Sequence, residues 1–198
     1  MWRGALGPTQ DRAVLGWCRS RGLDPCAVGR LHLARALPRD ELPRWAACRG
    51  QSWREGWRLI LPAYGARGEL ESIRARWVLE SKAPAKEVSA SAGQGSARRL
   101  VYCSRPQLLR AGRAGRAARV VVVEGGPDFL TMASSVDPAW DVIGVWSGSW
   151  GAEFAARIPD RSEVVIWTDD DEAGRAYARK IFESLALRNL RVKIKGNQ

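Results

Sequence analysis

Four short apolar runs rich in β-branched residues dominate the C-terminal part of this 198-residue chain: Val120–Val123, Asp141–Trp146, Glu163–Thr168 and Leu190–Ile194, with starts 21, 22 and 27 residues apart. Between them, Asp128–Ser134, Trp150–Arg157 and Glu172–Leu187 read as helices. In the last of these Ala173, Tyr177, Ile181 and Leu185 recur every fourth residue as one apolar stripe. Near-continuous apolar strands alternating with helices indicate βαβ units, and so an α/β fold with a four-stranded parallel sheet and flanking helices. Such sheets take ligands at the carboxyl ends of their strands.

The part before Arg119 has a different texture. Residues 1–119 carry 23 Lys/Arg against 9 Asp/Glu, a net +14, whereas residues 120–198 carry a net −3. A basic α+β portion, 1–118, therefore precedes the α/β portion, 119–198, and its charge suits a polyanionic partner. Within it, Ala13, Val14, Trp17 and Cys18 fall at helical spacing up to Arg21-Gly22, and Cys26–Ala36 reads as a second helix. Trp57, Leu59 and Leu61, then Ile73, Ala75 and Trp77, alternate as the arms of a hairpin that turns at Ala66–Glu69. The Ser- and Gly-rich segment 81–97 reads as loop.

Several classes drop out. The longest aliphatic run is four valines, against the roughly 20 residues that span a bilayer, and Met1–Pro8 lacks the apolar core of a signal peptide. A cytoplasmic protein with no membrane partner is expected. Cys18, Cys26, Cys48 and Cys103 form no CxxC pair, and His32 is the single histidine. No zinc is expected, and neither is a His-based triad.

The informative residues stand at two strand ends. The valine run leads into Glu124-Gly125-Gly126-Pro127-Asp128, and the third run leads into Asp169-Asp170-Asp171-Glu172-Ala173-Gly174-Arg175. Period-2 geometry places Asp169 and Asp171 on one side and Asp170 on the other. If the two strands are neighbours, about 4.8 Å apart, Glu124 faces that pair across a gap of cation size. An all-carboxylate donor set suits one or two Mg²⁺ or Mn²⁺ ions. The same acids before a helix also make an N-cap with an acidic first turn, and that reading stays open for Asp170 and Glu172 above all.

These two motifs resemble the Toprim domain, a Rossmann-like fold found in bacterial-type primases, topoisomerases and certain nucleases. The D-x-D-x-A-G-R form is most similar to DnaG-type primases, as is the stretch Val142-Ile143-Gly144-Val145-Trp146-Ser147-Gly148 between the motifs. Upstream, Arg58–Leu70, the pair Arg74 and Arg76, and Lys86 after Pro84 resemble the basic subdomain that guides template and nucleotides in that family. The resemblance implies a DNA primase catalytic core, a DNA-directed RNA polymerase of DNA replication that builds short RNA primers from NTPs on single-stranded DNA. It implies Glu124, Asp128, Asp169 and Asp171 as catalytic residues, the first, third and fourth as metal ligands, and Arg74, Arg76, Lys86 and Arg175 as nucleic-acid or nucleotide contacts. A replicative helicase is a candidate partner. The 198 residues hold no zinc-binding domain or helicase module and end just after the fourth strand, where primases continue. That suits a compact relative of phage or mobile-element type, or a piece of a longer chain.

The same acids would serve a Toprim-type nuclease if water replaced the 3′-hydroxyl, and a binding protein with a degenerate core is the third reading. Tyr64, Tyr102 and Tyr177 have no context that would support a topoisomerase. Trp45, Trp53, Trp57 and Trp77 lie among arginines and make either a stacking surface for bases or ordinary core.

Overall fold

The structure, a computed structural model, describes residues 1–90, 99–146 and 149–195. These form two compact units. Met1–Ala63 with 72–90 make the first, and Tyr64–Glu71 with the described residues from 99 onward make the second.

In the first unit, α1 (Arg12–Ser20) begins where Asp11 accepts the N–H groups of Ala13 and Val14 at 2.9 and 3.1 Å. The other oxygen of Asp11 pairs with Arg58 at 2.6 Å. Asp24 caps α2 (Pro25–Arg30), which stops well short of the expected Ala36. His32 turns the backbone left-handed, with φ 55°, and the chain continues into a short strand, β1 (Arg35–Ala36). Two further short strands, β2 (Ala47–Cys48) and β3 (Gln51–Ser52), pair with each other. The expected hairpin is present as β4 (Leu59–Tyr64) and β5 (Leu70–Arg76), with Gly68 at φ 75° in its turn. A strand β6 (Glu87–Ser89) pairs antiparallel with β5 inside the segment read as loop, and 91–97 of that segment lie outside the described residues. Sheet order is β1-β4-β5-β6.

Trp53 and Trp57 are fully buried in the core of this unit, so neither can stack on a base. Trp77 packs edge-on against Trp57 at 4.8 Å, and Trp45 against Trp53 at 5.6 Å. Burying a large aromatic outweighs displaying it, by roughly 25 cal/mol per Å² of apolar surface.

The second unit is built on five strands, not four. β7 (Tyr102–Cys103), α3 (Gln107–Ala111), β8 (Arg119–Glu124), α4 (Gly125–Ser135), β9 (Trp140–Val145), α5 (Ala152–Ala155), β10 (Glu163–Trp167), α6 (Glu172–Ala186) and β11 (Arg191–Ile194) follow in order. The sheet runs β11-β10-β8-β9-β7. The four strands read from the sequence are parallel. The fifth, β7, lies antiparallel on the β9 edge, and two residues are too short to show a period. This unit also takes in residues before the expected boundary at 118/119. Tyr64 and Val101 exchange both backbone hydrogen bonds, at 2.8 and 3.0 Å, and β7 belongs to the sheet.

The core of this unit packs Val120, Val122, Ile143, Val145, Val164 and Ile166 against Trp150, Phe154, Ile181 and Leu185. On α6 the buried row is Gly174, Ala178, Ile181 and Leu185, with Ala173 exposed, so the stripe is rotated from the one expected. No helix among the described residues is long and apolar enough to cross a membrane.

Candidate active site at the carboxyl ends of the strands

Strands β8 and β10 are parallel neighbours at the centre of the sheet, with Val123 in register with Trp167. Their carboxyl ends therefore open side by side, and Glu124 and Asp169 leave from adjacent positions. Gly125 makes the sharp exit from β8 with φ 77°, a conformation that L side chains adopt at a cost. The helix begins there, three residues before the expected start. Asp128 stands exposed in its first turn, where an acid meets the positive end of the helix.

Glu124 is half-buried, and its Oε2 finds no hydrogen-bond partner among the described residues. Burial pushes its carboxyl above the ordinary value. The charges of Asp169 and Asp171 push the same way, the Asp169 N–H opposes them, and Asp128 adds a smaller push. The charges of Asp128, Asp169 and Asp171 thus all act on Glu124.

The DxD turn is held from below by Gly174. A Cβ built there would fall inside van der Waals contact of the Asp169 carbonyl oxygen, and 2.8 Å from its carbonyl carbon. Thr168 Oγ1 also donates to the Gly174 carbonyl at 2.9 Å. The sequence offered a signal for this contact, because glycine inside a helix costs about 1 kcal/mol against alanine and needs a reason.

The expected tight trio of Glu124, Asp169 and Asp171 is not assembled: among the described residues no group of three His, Cys, Asp or Glu side chains lies close enough to hold a metal ion. Asp171 caps α6, with Oδ1 accepting the Gly174 N–H at 2.7 Å. Like-charge repulsion acts alongside that cap bond to keep the carboxylates apart. Asp170 turns away and pairs with Arg175 at 2.9 Å, so Arg175 is a local partner of the loop. The donors still fit a hard divalent cation in their chemistry. All are carboxylates, and the buried Glu124 oxygen is an acceptor with an unmet demand.

The candidate contacts of the first unit divide. Arg74 and Arg76 lie mostly buried and both pair with Glu87 across β5 and β6, at 3.3 and 2.8 Å. Lys86 is exposed and lines an open cavity of about 580 Å³ together with Arg12, Trp17, Arg21 and Arg76. The guanidinium groups of Arg21 and Arg76 lie 5.7 and 5.5 Å from the Trp17 ring. Trp17 and the arginines around it were not singled out from the sequence.

The second unit is thus an open, mostly parallel α/β sheet with carboxylates at the ends of two neighbouring strands. Among the solved structures similar to this chain are primase catalytic cores. The E. coli primase catalytic core matches with a TM-score of 0.65 and 18% identity, over 99% of this chain and 70% of that one. A DnaG primase catalytic domain bound to ssDNA matches with a TM-score of 0.60 and 19% identity, over 94% and 66%. The Aquifex aeolicus primase, comprising zinc-binding and RNA polymerase domains, matches with a TM-score of 0.62 and 18% identity, over 94% of this chain. This chain spans half of the Aquifex aeolicus chain. No family model matches the sequence, and no curated protein matches it. At these identities the likeness is one of fold.

Proposed function

We propose that this chain is the catalytic core of a primase, joining NTPs into short RNA on a single-stranded DNA template inside the cytoplasm. The observation that carries the reading is Glu124 at the end of β8, electrostatically coupled to Asp169 and Asp171 at the end of the neighbouring strand. The primase-core fold supports it.

In this reading Glu124, Asp169 and Asp171 hold one or two Mg²⁺ or Mn²⁺ ions. Bound there, a divalent ion neutralises charge on the attacking and leaving oxygens of an in-line displacement. The residues themselves fix where that can occur. Gly125 and Gly174 bring backbone close to the acids, and Asp128 orients a ligand or handles the proton of the 3′-hydroxyl. The bond that forms joins a 3′-oxygen to the α-phosphorus, and pyrophosphate leaves. Lys86 faces solvent and is available to template phosphates. Arg74 and Arg76, anchored by Glu87, shape that surface more than they supply free charge. A replicative helicase fits as a partner in this reading.

One observation favours a second reading, a nucleic-acid binder without turnover: the acids do not form a ready cage among the described residues. An incorporation assay on single-stranded template, with and without Mg²⁺ or Mn²⁺, separates the two. Metal-dependent incorporation lost in Glu124→Gln and Asp169→Asn supports the primase. Salt-sensitive binding without turnover supports the binder, and metal-dependent strand scission without nucleotides would turn the reading to a nuclease.

A further inference from the structure

The opposite end of the same sheet carries a second charged concavity. Register places Arg191, Glu163, Arg119 and Trp140 in one row across β11, β10, β8 and β9, at the amino ends of the four parallel strands. Strand spacing of about 4.8 Å makes that row roughly 14 Å wide. Arg191, Glu163 and Arg119 of that row, together with Arg105, Arg116, Arg161 and Asp141, line an open cavity of about 720 Å³.

The acids in this cavity are already matched. Asp141 accepts from Arg105 at 2.5 Å, and Glu163 lies 3.9 Å from Arg119 and 3.7 Å from Lys193. The side chains of Arg116, Arg161 and Arg191 are exposed and have no ion-pair partner among the described residues. Arg161 also stands at φ 64°, a conformation unusual for a residue with a long side chain. Three unmatched guanidiniums on one concave rim are a cost of self-repulsion unless an anion relieves it.

We infer that this cavity binds the phosphodiester backbone of a single nucleic-acid strand, independently of the acidic end. The arrangement selects a strand over a compact polyphosphate. Asp141 and Glu163 occupy the cavity lining with Arg105 and Arg119 already engaged, which leaves the unmatched Arg116, Arg161 and Arg191 to meet the separate single charges of a strand rather than one compact group. Among the described residues no aromatic side chain lines the cavity, and Trp140, its ring 5.8 Å from the Arg119 guanidinium, ends the row outside it, so recognition rests on phosphates and carries little base preference.

The test compares two doubly substituted proteins of equal charge. One is Arg161→Ala/Arg191→Ala, and the other is Arg67→Ala/Lys180→Ala, two exposed cations away from the cavity. Anisotropy of a labelled oligothymidylate is followed against salt, with melting curves to confirm folding. Loss of two phosphate contacts lowers the slope of log K against log salt by about 1.4 for the cavity pair, and by less than half of that for the control pair. Equal slopes in the two proteins overturn the proposal. So does a cavity pair that loses affinity for ATP alone while holding the oligonucleotide. Repeating the comparison in a Glu124→Gln background keeps the result separate from the catalytic reading, since an inactive acidic end leaves the slope difference in place.

Discussion

The two ends of the five-stranded sheet use opposite electrostatics on one scaffold. At the carboxyl ends, Glu124 is held half-buried among like charges, and its carboxyl is pushed up. At the amino ends, Asp160, just ahead of β10, sits between Arg188 at 2.7 Å and Arg113 at 3.3 Å, and the Arg188 hydrogen bond draws its carboxyl down. One acid is thus destabilised at the end proposed to hold a cation, and the other is stabilised by the arginines beside it. The difference teaches that burial among like charges and pairing with guanidinium groups move carboxyls in opposite directions on one sheet.

The largest effect should come from breaking the acidic end. Glu124→Gln and Asp169→Asn are each expected to lower template-directed incorporation by about 100-fold or more. Melting temperatures should be unchanged or, for Glu124→Gln, raised. A loss of activity accompanied by unfolding would mean that the acids are structural. Next is Gly174→Ala, which drives a methyl group into the Asp169 backbone. It should cost about 1–3 kcal/mol by denaturant titration and lower incorporation, because the loop that carries both aspartates must shift.

A smaller effect belongs to the basic end. Arg105→Ala leaves Asp141, 7% exposed, without its charged partner. Because Arg105 is itself half-exposed, about 1 kcal/mol of stability is expected to go, and Asp141→Asn in the same background should restore part of it. The smallest effects are pH profiles of opposite sign. Glu124 titrates higher folded than unfolded, so it favours the fold at low pH and loses that contribution as pH rises through its folded value. The melting-temperature advantage of Glu124→Gln should therefore grow as pH rises through the range just above ordinary carboxylates. Asp160 titrates lower folded than unfolded, so its contribution is present above the ordinary value and lost as pH falls. Asp160→Asn should destabilise at neutral pH and converge on the native protein in acid.

The parallel strands were legible because Val, Ile and Trp fill both faces of a covered sheet, leaving near-continuous runs around Val120–Val123 and Glu163–Thr168. Tyr102–Cys103 was not, since two residues carry no period and only pairing with Ile143 and Gly144 makes them a strand. The hairpin 57–79 showed itself through alternation, whereas Arg35–Ala36 looked helical until His32 broke the chain direction. For the site, the acids at the strand ends followed from the runs that lead into them, whereas the expected tight trio did not form. Their final partners did not follow, because the Asp171 cap, the Asp170–Arg175 pair and the Arg74 and Arg76 bridges to Glu87 are decided by folded geometry. The tryptophan–arginine interleaving left a stacking surface and ordinary core both open for the same reason: burial of Trp53 and Trp57 is a property of packing.

Because Asp171 ends the loop and also caps the 15-residue helix α6, whatever engages its Oδ1 has to compete with the Gly174 amide. That amide bond is worth about 1 kcal/mol, so occupancy of the acidic end is levied against the helix's first turn. The Gly174 backbone resonance is accordingly a built-in reporter, displaced in proportion to the fraction of molecules whose aspartate has been drawn away.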